Sequence, residues 1–217
     1  MIPKKLHYVW IGGNKTELAQ KCIDSYYKFL PDYEIIEWNE SNINLDWFDD
    51  IGKKFYQDNY NNKKYAFCTD LARLYILNKF GGIYVDADVE FIRRLPDEFL
   101  SAPIIGRINP RNTVCNGCVW GCEKDDKLVN SFIRWFLNHI KILGASHGRN
   151  WIFNTIFKNF FDMFGDNRDN TKIVDFHGYK IYPTEYFCPM NGLTFKTEIT
   201  DKTISIHHFE LSWKKKE

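Results

Sequence analysis

The tightest constraint on this chain is an apolar helical run that stops at Gly81-Gly82 and passes at once into Ile83-Tyr84-Val85-Asp86-Ala87-Asp88. Glycines directly after a periodic apolar run mark a helix C-terminus. Ile83–Val85 reads as a short buried strand, and it leads straight into two carboxylates. In an open α/β sheet, ligands bind where loops leave the carboxyl ends of the strands. Residues i and i+2 of an extended segment share a face, so Asp86, Asp88 and Glu90 are expected on one side. Neighbouring carboxylates repel unless something cationic neutralises them. A hard divalent ion such as Mg²⁺ or Mn²⁺ takes oxygen ligands and bridges to a diphosphate. A solvated acidic turn has the same composition and stays open at this point.

The rest of the chain alternates in the same manner. Leu6–Ile11 reads as a first strand ending at Gly12-Gly13. Thr16–Phe29 reads as a helix, with Leu18, Cys22, Tyr26 and Leu30 at i, i+4 spacing and Pro31 as its stop. Tyr33–Trp38 is a second strand, 39–60 a connection of short helices, and 63–80 the helix that ends at the glycines. The second half offers strands near 104–107 and 119–121, helices over 127–143 and 150–164, and weak strands at 172–174, 180–182 and 203–207. This alternation implies a largely parallel sheet covered by helices. No repeat or linker interrupts it, so the 217 residues are expected to form a single domain, residues 1–217.

Other residues carry chemistry with an ordinary alternative beside it. Asp70 and Arg73 share a helix face at i, i+3 and suit sugar hydroxyls; a surface ion pair fits the spacing equally. Trp10 ends the first strand, where a ring can stack on a nucleobase or cap a core. Gly12-Gly13 lacks the G-x-G-x-x-G pattern and has no following Gly-Lys-Ser/Thr, which disfavours dinucleotide and P-loop chemistry. His207 and His208 are adjacent, so on a strand only one of them faces a given site. Cys115, Cys118 and Cys122 form one cluster, whereas structural zinc takes four ligands, commonly in two half-sites; Cys188 has no partner near it in sequence, and zinc is disfavoured. The helix 128–143 carries the core stripe Leu128, Phe132, Phe136, Ile140 and Leu143, while Trp135, Leu137 and Ile142 widen it enough to suggest a peripheral membrane face. Core packing is the plainer reading.

Bulk charge excludes one function class. Lys and Arg total 29 against 28 Asp and Glu, so there is no basic excess for a nucleic-acid partner. No apolar run reaches the roughly 20 residues of a membrane helix. The start has no signal-like apolar core. The expected location is cytoplasmic, with at most a peripheral contact at the inner face of the membrane.

Three ordered segments resemble one family: Ile2-Pro3-Lys4-Lys5-Leu6-His7-Tyr8-Val9-Trp10-Ile11-Gly12-Gly13; Thr69-Asp70-Leu71-Ala72-Arg73 followed by Gly81-Gly82-Ile83-Tyr84-Val85-Asp86-Ala87-Asp88; and His207-His208-Phe209-Glu210-Leu211-Ser212-Trp213. They resemble the DxD-containing sugar transferases of glycosyltransferase family 32, which includes capsular and O-antigen transferases and yeast initiating mannosyltransferases and is related to clostridial glucosylating toxins. The resemblance implies a GT-A fold, Rossmann-like, with residues 1–93 binding a nucleotide-sugar and 94–217 forming the acceptor side and closing tail. It implies a divalent metal, Mn²⁺ or Mg²⁺, and retention of anomeric configuration. Trp10 and Gly12 would lie at the base, Tyr84 at the ribose, Asp70 and Arg73 at the donor sugar, and Asp86 at ribose or sugar hydroxyls. Asp88 and His208 would bind the metal, and Trp213 would close over the diphosphate. The donor implied is a UDP-hexose or UDP-N-acetylhexosamine, and the acceptor a glycan or lipid-linked oligosaccharide of a surface polysaccharide. A toxin-like protein acceptor, a non-catalytic sugar-nucleotide-binding scaffold and a metal phosphohydrolase are the rival readings.

Overall fold

The computed structural model describes residues 1–143 and 152–210. The chain opens with β1 (Lys5–Val9), α1 (Glu17–Phe29) and β2 (Glu34–Trp38). Thr16 caps α1 by accepting from the Ala19 N–H at 3.0 Å. A 3₁₀ turn at Leu45–Trp47 and α2 (Asp50–Asn61) fill the connection expected to hold short helices. Next come α3 (Tyr65–Phe80), β3 (Gly82–Tyr84) and β4 (Val89–Phe91). Gly81, at φ 61°, stops α3 and donates its N–H to Leu77. The second half contains β5 (Ile104–Ile108), β6 (Thr113–Cys122), α4 (Lys127–Leu143), α5 (Ile152–Met163), β7 (Val174–Phe176), β8 (Tyr179–Tyr182), α6 (Thr184–Phe187) and β9 (Ser205–His207).

The main sheet has the order β2-β1-β3-β6-β5-β8-β7. Strands β2, β1, β3, β5 and β8 run one way, and β6 and β7 run against them. The expected parallel character therefore holds on both sides of one antiparallel strand, β6. That strand is ten residues long and buried throughout, much longer than its apolar Val119–Gly121 core suggests. A separate antiparallel pair joins β4 to β9.

Strand alternation divides the interior into two cores. Tyr84, Ile105, Trp120 and Ile181 face a layer made by α2, α3, α4 and α5. Ile83, Ile104, Val119 and Tyr182 face the other layer, which includes α1 and β4. The aromatic stripe of α4 belongs to the first core: Phe132 packs edge-on against Phe157, with centroids 4.8 Å apart. Leu137 is buried and Trp135 leans on Phe160, so the apolar surface expected to meet a membrane is interior. Among the described residues only Ile142 of that group is exposed, and no helix is long and apolar enough to cross a membrane.

His7 locks β1 to its neighbours. Its Nδ1 accepts from the Trp38 indole N–H at 3.1 Å, and its Nε2–H donates to the Gly81 carbonyl at 2.8 Å. This pattern needs the neutral ring. Burial pushes the His7 pKa down to about 4, with the Gly81 hydrogen bond opposing. Between pH 6.5 and 4 the unfolded chain therefore holds a proton that the folded chain does not, and stability falls as pH falls through this window. The difference corresponds to about 3 kcal/mol. Urea unfolding from pH 7 to 4 should show this loss in the native protein and a shallower pH dependence in His7→Gln. Parallel pH curves for the two proteins would contradict the assignment.

Candidate active site

A pocket of about 370 Å³ opens beyond the carboxyl ends of β1 and β3. Trp10 and Gly12, Asp70 and Arg73, Asp86 and Asp88 all line it. The acidic pair does not lie on an extended segment as expected. Asp86 accepts from the Val89 N–H at 3.1 Å, closing a turn over Asp86-Ala87-Asp88. The turn brings the two aspartates together and sends Glu90 elsewhere, to Lys21 at 2.9 Å and His208 at 2.8 Å. The Asp86 N–H donates to the Gly117 carbonyl at 2.8 Å, and the Tyr26 hydroxyl donates to the Asp86 carbonyl at 3.1 Å.

Arg73 is 5% exposed and organises the floor. Its guanidinium lies 3.0 Å from Asp70 and 3.1 Å from Asp86, and it donates to the Asn116 side-chain carbonyl at 2.6 Å. It also sits 4.8 Å over the Tyr84 ring. The pairing is thus a buried network rather than a surface ion pair. Burial and the nearby Asp86 raise the Asp70 pKa to about 7, against the pull of Arg73.

The histidine assignment is corrected. The β4–β9 register sets Val89 opposite His207 and brings that ring to the aspartates, with Nε2 3.2 Å from Asp88 and 4.0 Å from Asp86. His208, the expected ligand, takes the opposite face and pairs with Glu90. Burial works to raise the Asp88 pKa, but the charge and hydrogen bond of His207 and the Glu210 N–H outweigh it and hold it at about 2. Burial likewise lowers the His207 pKa and is outweighed by Asp88, so the ring is held well above its ordinary value.

Trp10 stands half-buried on the pocket wall, its indole N–H donating to the Gly13 carbonyl at 3.1 Å. Gly12, at φ 81°, lies against Tyr65 so closely that a Cβ would sit 2.2 Å from that ring. Tyr84 departs from the expected place at the ribose. It is fully buried one layer behind the pocket, its hydroxyl donating to Asp86 at 3.1 Å. Trp213 lies outside the described residues.

Sequence reading missed what β6 contributes. Ile105 faces Trp120 whereas the next residue, Gly106, faces Cys115, so residues 116–119 bulge from the ladder. The bulge delivers Asn116 to Arg73 and lays Gly117 over Asp86, where a Cβ would sit 1.9 Å from the carboxylate. The Asn116 Nδ2 is buried and has no partner among the described residues. Only the strand slip, set by pairing with β5, reveals the place of Asn116 and Gly117. The bulge also turns Cys115 and Cys118 to one side, where the Cys118 thiol lies 3.3 Å from His207 Nδ1.

A family model described as the glycosyltransferase sugar-binding region containing the DXD motif matches residues 16–108. Subversion of eukaryotic traffic protein A of Legionella pneumophila is 27% identical over 158 residues, covering 59% of this chain and 24% of that protein. Mannosyl phosphorylinositol ceramide synthase CSH1 of Saccharomyces cerevisiae is 24% identical over 211 residues, covering 91% of this chain and 54% of that protein. The chain thus spans about half or less of the length of these relatives. The PaToxG glycosyltransferase structure aligns with a TM-score of 0.60 at 18% identity, over 77% of this chain and 73% of that one. The UDP-bound glycosyltransferase domain from the YGT toxin aligns with a TM-score of 0.50 at 12% identity, over 77% and 68%. The mixed sheet and its helices are the GT-A architecture of these enzymes. The DXD turn and the buried Asp70–Arg73 pair both fall within residues 16–108, the stretch that is similar to the sugar-binding region of the DXD-containing glycosyltransferases.

Proposed function

We propose that this chain is a metal-dependent, retaining glycosyltransferase that moves a hexose or N-acetylhexosamine from a UDP-sugar to a glycan or glycolipid hydroxyl. The observation that carries the reading is the convergence of Asp86, Asp88 and His207, whose ligand atoms lie within 4.8 Å of one another on the pocket wall. Two carboxylates and an imidazole suit Mn²⁺ or Mg²⁺ in donor chemistry, and three protein ligands leave positions for diphosphate oxygens. Asp88 and His207 would hold the ion, with Asp86 beside them. A bound ion supplies positive charge where the departing diphosphate becomes negative.

The chain's own residues do the rest. Trp10 offers a ring face to the base, and Gly12 lets the backbone approach. Asp70 and Arg73 fix the donor sugar, and the unpartnered Asn116 Nδ2 offers a donor hydrogen bond to it. Among the described residues the pocket carboxylates are all engaged, Asp70 and Asp86 by Arg73, Asp88 by His207 and Glu210 by the Thr16 hydroxyl, which supports a route without a covalent sugar intermediate. Attack by the acceptor on the face the diphosphate leaves fits this arrangement. The name of the yeast relative describes a mannosylated ceramide lipid, which supports a lipid-borne acceptor. We place that acceptor at the cytoplasmic face of a membrane.

Thermal unfolding with UDP- and GDP-sugars, each with and without Mn²⁺, tests the donor. One UDP-sugar should stabilise the protein only with Mn²⁺, by about 2.7 kcal/mol at 100 times its Kd. The absence of any shift in folded protein would overturn the reading. Asp88→Asn should abolish turnover and the Mn²⁺-dependent shift, and retained activity would remove Asp88 from the metal site. Trp10→Ala should raise the donor KM more than it lowers kcat, because stacking is equal in ground and transition states. The first-formed product, followed by NMR, should keep the anomeric configuration of the donor; inversion would refute same-face attack.

A further inference from the structure

A second group of ligand-type side chains lies directly behind His207. Cys115 and Cys118 come from the bulged segment of β6, His207 from β9, and Cys188 from the residue after α6. All four are buried: Cys118 and Cys188 are fully enclosed, Cys115 is 8% exposed and His207 7%. The Cys115 and Cys118 sulfurs and a His207 ring nitrogen lie within 4.8 Å of one another. Cys188 belongs to the same buried core as Cys115 and Cys118. In a regular strand, residues i and i+3 point to opposite faces. Here the slip against β5 turns both sulfurs inward, and the Cys118 N–H donates to the Cys115 sulfur at 3.3 Å.

We propose that Cys115, Cys118, Cys188 and His207 form a second cation site, for a thiophilic divalent ion of the Zn²⁺ class. Three sulfurs and one imidazole nitrogen make a soft, four-ligand set that favours tetrahedral Zn²⁺ over Mn²⁺ or Mg²⁺. In sequence zinc is disfavoured because Cys115, Cys118 and Cys122 make a single cluster and Cys188 has no partner near it. The fold supplies Cys188 and His207 and sends Cys122 to the opposite core. His207 is already oriented for the role. Its Nδ1 faces the Cys118 sulfur at 3.3 Å, and its Nε2 faces an Asp88 oxygen at 3.2 Å. A ligating histidine commonly gives its other N–H to a carboxylate in this manner. Cys115 and His207 also line the pocket, so the ion has a path inward. On binding, each ligating thiol releases its proton to solvent, and the protonated His207 gives up its Nδ1 proton while keeping the one on Nε2. The ion would tie β6, β9 and the end of α6 together, independently of any donor.

The test is titration of reduced, chelator-treated protein with Cd²⁺, followed by thiolate-to-metal charge-transfer absorption. The native protein should saturate at one ion per chain with the absorbance of three thiolates, and Mn²⁺ should give no band. Cys118→Ser and Cys188→Ser should each weaken binding by at least about tenfold and lower the band. Cys22→Ser and Cys122→Ser should leave it unchanged. Asp88→Asn should keep the band, which separates this site from the hard-cation reading of the aspartates. No saturable band in folded native protein would overturn the proposal, whatever the variants do. A band untouched by both Cys118→Ser and Cys188→Ser would do the same.

Discussion

The geometry of this pocket depends on one buried cation. Arg73 reaches Asp70 on its own helix, Asp86 on the turn after β3 and Asn116 on the bulge of β6. Taking a guanidinium out of water costs several kcal/mol unless its donors are met, and here three elements meet them. A shift of any one of the three takes a partner away from a buried guanidinium. Arg73 thereby converts a helix face, a turn and an irregular strand into one rigid wall. Its planar fork suits this task better than a lysine ammonium, because several partners at fixed angles must be held at once.

The turn and the bulge are also matched to each other. Asp86 donates its N–H to the Gly117 carbonyl, and its carboxylate occupies the space where any side chain on Gly117 would have to stand. The bulge is the sole break between the paired segments of β5 and β6, and it occurs beside the acidic turn. Bulges re-aim side chains at the cost of ladder hydrogen bonds. This one aims Asn116 at Arg73 and two cysteines at His207. A regular strand in its place would bury the same apolar residues and bring none of these groups to the site.

Local features were legible in the sequence because their geometry is local. The i, i+3 spacing of Asp70 and Arg73 fixes a shared helix face, and Gly81-Gly82 fixes where the helix stops and β3 begins. What escaped depends on pairing between distant segments. The choice between His207 and His208 is a choice of strand face, and only the register of β9 on β4 decides it. Asp86-Ala87-Asp88 was read as extended because alternation cannot register a turn closed by Val89. Tyr84 sits beside the acidic pair in sequence, yet its strand points it into the core. The apolar stripe of α4 gave the right face, but a sequence cannot show that α5 and its phenylalanines cover it.

His207 joins the two halves of the site, because its ring has one nitrogen for each. While the ring is protonated it serves Asp88 as an internal cation, which accounts for the low Asp88 pKa. A hard cation at the aspartates has to displace that proton, so its affinity falls with pH as the ring is held charged. An ion on the sulfur side claims Nδ1 and leaves Nε2–H hydrogen-bonded to Asp88. The imidazole cannot give Nε2 to both arrangements at once. With both proposed ions, the state of the thiol cluster would set which ligands the acidic turn presents, and the coupling would run through a single side chain rather than through a change of fold.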